Sequence, residues 1–153
     1  MEDKRTKAMK LFNDGCNCAQ ATLVAYCEET GLDYETALRI SSSFGGGVGR
    51  LREICGAVSG IAMAAGMVAG PVDPLDQDAK AAHYALVQKL ANRFKEANGS
   101  YICRELLDLP EGPDSPSPEP RTEAYYRLRP CAEYVGSAAA ILEQELRERT
   151  APR

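Results

Sequence analysis

The chain has no tryptophan, one histidine and few aromatics, three Phe and seven Tyr in 153 residues. Its core must therefore be built from aliphatic and small residues, and a single histidine cannot form a multi-histidine metal site. No C-x-x-C occurs, which removes a thioredoxin motif and a zinc ribbon. No C-x-x-C-H occurs, so covalent c-type haem is not expected. The run G-G-G-V-G-R is followed by no Lys-Ser/Thr and preceded by no strand pattern, so neither a phosphate loop nor a nicotinamide-dinucleotide (NAD) fingerprint is present. The net charge of −4 provides no broad basic surface, and nucleic acid is not an expected partner. The opening MEDKRTKAMKLF is charged and amphipathic and lacks the apolar stretch of a secretory leader, so a cytoplasmic location is expected.

What remains is an ordinary globular balance, 44% hydrophobic and 26% charged, of a size that fits one domain over residues 1–153. Helical periodicity dominates. Helices are expected over Thr6 to Asn13, Cys18 to Thr30 and Tyr34 to Ser43. Others should run from about Arg52 to Ala69, Leu75 to Ala97, Tyr101 to Leu109 and Pro130 to Arg149. Asn17 with Gln20 three residues on has the form of a capping box, Asp33 and Ser100 are candidate caps, and Gly31 and Asn98-Gly99 are stop signals. The proline-rich stretch 110–122 is expected to be a surface loop. No strand and no repeat is evident. The predicted fold is all-α, a bundle of six to seven helices around a central Gly/Ala-rich helix. Ile54 to Gly70 runs seventeen residues without a charge, near the lower limit of a membrane span. Its Gly/Ala content and the Gly56/Gly60 spacing favour a buried helix in a bundle instead.

Six cysteines in a reducing compartment point to metal ligands, redox thiols or small buried hydrophobes rather than a disulfide framework. Four of them, Cys18, Cys55, Cys103 and Cys131, fall where helices are predicted to begin. There, free N–H groups and the macrodipole favour a thiolate. Packing alone is the competing explanation for any one of them. Arg104 and Arg129 are the adjacent sources of positive charge. Cys27 falls on the opposite face of the Cys18 helix and is expected to be structural, while Cys16 is a candidate resolving thiol. Whether Cys16 or the lone His83 contributes to a site is left open. Met63 and Met67 have the character of core residues.

The segment Cys55-Gly-Ala-Val-Ser-Gly60 resembles the central motif of the C_GCAxxG_C_C family, whose redox label rests on its cysteines. G-C-N-C-A-Q at Cys18, Y-I-C-R-E-L-L at Cys103 and R-P-C-A-E-Y-V at Cys131 match its other characteristic cysteines. F-G-G-G and G-L-D-Y-E-T-A are also similar to it, so the likeness covers nearly the whole chain. The resemblance implies a redox role and selects the same four cysteines. The leading expectation is an electron-transfer protein in which Cys18, Cys55, Cys103 and Cys131 hold an iron–sulfur cluster or another metal, with Gly56, Ala57 and Gly60 making room for the cofactor. The alternatives are metal-free thiol–disulfide exchange by the same thiols, which would make the chain an oxidoreductase, and a non-enzymatic helical module with structural zinc or packing cysteines. The redox partner, protein or small molecule, is open. So is whether the site is contained in one subunit or shared in a homodimer. No membrane association is expected.

Overall fold

The computed structural model describes residues 2–150; the ends of the expected 1–153 domain lie outside them. Among those residues it shows nine α-helices, one short 3-10 turn and no strand beyond an isolated bridge. The helices are α1 (Lys4–Asn13), α2 (Cys18–Val24), α3 (Cys27–Thr30), α4 (Tyr34–Ser41), α5 (Gly56–Ala69), α6 (Gln77–Asn98), α7 (Cys103–Leu106), α8 (Glu123–Leu128) and α9 (Cys131–Thr150). The all-α class is as expected. No helix among the described residues is long and apolar enough to cross a membrane.

The excess over six to seven helices has two causes. The helix predicted from Cys18 to Thr30 breaks at Ala25-Tyr26, between α2 and α3. Tyr26 is fully buried there, and its hydroxyl donates to the Ala139 carbonyl of α9 at 2.6 Å. A long-range contact, with no glycine or proline to announce it, sets the break. The second cause is α8, which Thr122 caps by accepting from the Tyr125 N–H just beyond the proline-rich segment.

Two other boundaries move. α5 starts at Gly56 rather than near Arg52, because residues 53–55 pair with 101–103. Cys55 N–H donates to Tyr101 O at 2.8 Å and Cys103 N–H to Glu53 O at 2.6 Å, around an antiparallel bridge between Ile54 and Ile102. α7 starts at Cys103 rather than Tyr101. Ser100 does not cap it: its hydroxyl accepts from the Ile102 N–H and donates to Glu105. The Asn17–Gln20 capping box forms as expected, with both reciprocal bonds in place at 2.9 and 3.0 Å.

The core joins α1, α2, α5, α6 and α9 through Phe12, Leu23, Ile61, Leu90, Phe94 and Leu142. α5 lies closely against α2. A methyl group at Gly60 would overlap Thr22 Oγ1 and stand 2.6 Å from Ala19 O, so only glycine permits this approach. Thr22 fills the seam, with its hydroxyl 3.2 Å from the Ala57 carbonyl. This contact draws the N-terminal ends of α2 and α5 together.

Candidate functional site

Those ends open onto a cavity of about 470 Å³. Cys18, Cys55, Cys103 and Cys131 all line it. Cys18, Cys103 and Cys131 are the first residues of α2, α7 and α9, and Cys55 is the residue before α5. Cys27 also opens a helix, α3, yet does not reach the cavity. Helix-start placement therefore does not separate the site from the remainder; convergence on one cavity does.

The thiols differ in charge preference. Cys131 is held below its ordinary value, first by a hydrogen bond from the Cys18 thiol and then by the positive charges of Arg129, Arg52 and Arg121. Cys18, the partner that keeps the hydrogen, is pushed well up. Burial pushes Cys55 up to about 12 even though the Ala57 and Val58 N–H groups of α5 point at its sulfur. Cys103 is also raised by burial, against the pull of Arg52. The thiolate bias expected of all four helix starts thus survives in one. For Cys55 and Cys103 desolvation outweighs the helix end, and for Cys18 the contact with Cys131 comes first and burial second.

The cavity rim is a glycine-rich coil of unusual hand. Gly46, Gly47, Val48, Gly49 and Arg50 run consecutively at φ between 55° and 68°, and Arg52 follows at 62°. Each non-glycine residue in that conformation costs about 1–2 kcal/mol. Internal bonds hold it: Gly49 N–H to Ser43 O at 2.8 Å, Arg52 N–H to Gly46 O at 3.0 Å and Glu53 N–H to Gly47 O at 2.9 Å. Gly47 has a second constraint, because a Cβ there would lie 2.7 Å from Cys103 Cβ.

This coil delivers Arg52 into the cavity wall. Its Nη1 donates to Cys103 Sγ at 3.6 Å and its Nη2 to Asp114 at 3.0 Å. Asp114 belongs to the proline-rich segment and also pairs with Arg50 at 3.2 Å. The segment expected as a plain surface loop therefore forms a wall of the site, with Pro116, Pro118, Glu119 and Arg121 facing the cavity. Arg121 donates to the Phe12 and Cys16 carbonyls at 2.9 and 3.0 Å and lies 4.1 Å from the Phe12 ring centre. Arg129 pairs with Glu119 at 2.6 Å. Arg104, named from sequence as a neighbour of Cys103, pairs instead with Glu53 at 2.8 Å and does not line the cavity. Arg52 and Arg121 have no local signal in the sequence for these bonds, since each reaches its side-chain hydrogen-bond partners across 51 or more positions.

Of the glycine-motif residues, Gly56 borders the cavity, while Ala57 and Gly60 lie in the α2–α5 seam. The Cys16 and Cys27 thiols are half-buried and outside the cavity. His83 stands beside Gly66, eleven residues along α5 from Cys55 and so roughly 16 Å away.

Among the described residues, no three or more Cys, His, Asp or Glu side chains are grouped to hold a metal ion. No curated protein and no solved structure matches the chain. The family model described as "Putative redox-active protein (C_GCAxxG_C_C)" matches residues 16–145, which include all four cavity cysteines. The chain belongs to the C_GCAxxG_C_C family.

Proposed function

We propose that the cavity is a dithiol redox centre working by thiol–disulfide exchange, with Cys131 as the attacking sulfur and Cys18 as the resolving one. The observation that carries this reading is that Cys18 and Cys131, each the first residue of a helix, line the same cavity; the mutual influence of their thiols holds Cys131 low and pushes Cys18 up. A thiolate is the competent nucleophile, and its neighbour must be within reach to release the mixed disulfide.

The Cys131 thiolate forms a bond to one sulfur of a substrate disulfide, and the other substrate sulfur leaves as a thiolate. Cys18 sulfur then bonds to Cys131 sulfur, expelling the second substrate thiolate. The Cys18 proton and one from water leave with the two products. Two protein thiols are oxidised and one substrate disulfide is reduced.

The test is to treat the fully reduced chain with hydroxyethyl disulfide and map its cysteines by mass spectrometry. A Cys18–Cys131 linkage supports the reading. Unchanged consumption of the disulfide by Cys131→Ser overturns it.

A second reading is favoured by all four thiols lining one cavity. An iron–sulfur cluster takes four cysteine thiolates around a body larger than one ion, and Cys18, Cys55, Cys103 and Cys131 would hold it. The group would supply one-electron transfer. Iron and sulfide analysis with an absorption spectrum on oxygen-free protein decides it. A colourless, iron-free chain removes this reading.

A further inference from the structure

We propose that the cavity binds a small anionic disulfide through a carboxylate seated on Arg52; this names the substrate class of the exchange centre above and rests on that reading.

Arg52 is only 5% exposed. A buried guanidinium is costly unless its donors and its charge are met. Its two terminal nitrogens reach Cys103 and Asp114, but its Nε is buried with no partner. Only two of the five N–H donors of the fork are met, and Arg52 lines the cavity. Its charge is also incompletely met, because Asp114 is shared between Arg52 and Arg50.

The wall repeats this imbalance. Arg121 directs its donors to the Phe12 and Cys16 carbonyls, and Arg129 takes Glu119. Four guanidiniums therefore meet two carboxylates, in a chain whose net charge is −4. Arginine suits a carboxylate because its fork matches the two oxygens. The volume, about 470 Å³, falls within the range of small-molecule sites. Arg52 already touches Cys103 Sγ, so an anion held there lies beside the thiols.

S-methylglutathione, which carries carboxylates and cannot exchange, is titrated calorimetrically into the full-length reduced chain. Arg52→Gln should weaken binding by about tenfold or more, the loss expected for a charge-assisted hydrogen bond. Asp114→Asn removes the competing carboxylate, leaves every arginine in place and should tighten binding by a few-fold. It carries the test if Arg52→Gln fails to fold. The proposal is overturned if the wild-type chain does not bind the probe, or if the folded variants bind it like wild type. Reaction with neutral hydroxyethyl disulfide reports on exchange alone. Failure there with the anion site intact removes the chemistry but not the site.

Discussion

Cys18 and Cys131 are two helix starts on the cavity whose thiols shift each other in opposite directions, whereas Cys55 and Cys103 flank the Ile54–Ile102 bridge with Arg52 on the Cys103 sulfur. The first pair is polarised: one sulfur is pushed toward thiolate and its neighbour toward thiol. In the second pair burial raises both, Cys55 to about 12. The same residue type, at or next to a helix start, is thus pushed toward thiolate or held as thiol according to its desolvation and its sulfur neighbour. A helix end is a modest, screened influence, worth about 0.3–1 kcal/mol at exposed sites, and burial can exceed it severalfold.

The largest expected break in this contrast is Cys131→Ser. It should slow disulfide reduction by about a hundredfold or more, since the competent thiolate is lost. Cys55→Ser should leave the rate within about threefold. Equal losses in the two variants, measured with hydroxyethyl disulfide, would mean that the pairs do not differ in role.

Next is the seam that brings the pairs together. Gly60→Ala places a methyl against Thr22 Oγ1 and the Ala19 carbonyl. Overpacking of this kind costs about 1–3 kcal/mol. Tm should fall by roughly 3–10 °C in a chain of this size. Thermal unfolding followed by circular dichroism measures it, and an unchanged Tm would show that α2 and α5 separate freely.

A smaller effect concerns the polarity of the first pair. Alkylation of Cys131 by iodoacetamide should titrate below the ordinary cysteine range, and Arg129→Gln should move the midpoint upward. A midpoint for Cys131 at or above the ordinary value would contradict the polarisation.

The smallest is a slope in stability. Below about pH 9 the Cys55 thiol keeps its proton in both folded and unfolded chains and contributes no pH dependence. Above it, the unfolded chain releases that proton while the folded chain retains it up to about 12. The folded state then binds more protons, so unfolding free energy falls as pH rises. Cys55→Ala should flatten that decline in urea titrations between pH 8 and 10.

The legible parts of the fold were those written in local chemistry. Asn17 and Gln20 announced α2 to the residue, Asp33 announced α4, and Gly31 and Gly99 closed their helices in left-handed conformations. The break at Tyr26 was hidden because a hydroxyl bond to α9, 113 positions away, decides it. The start of α5 was misplaced because Arg52 to Cys55 have a helix-compatible pattern, whereas Arg52 is left-handed and residues 53–55 pair with 101–103. The four cysteines could be chosen from sequence. Their division into unlike pairs could not, since it depends on Arg52, on Arg121 and on which sulfurs adjoin.

The coil from Gly46 to Arg50 has a consequence in chirality. Over five consecutive residues the backbone runs at left-handed φ; three of them are glycine, which takes that conformation freely, and only Val48 and Arg50 are held there against their chirality. Arg50 and Arg52, two positions apart, both reach one carboxylate, Asp114, with Leu51 between them outside the left-handed conformation. A short mirror-image segment thus gives the rim of the cavity a geometry that neither helix nor strand supplies.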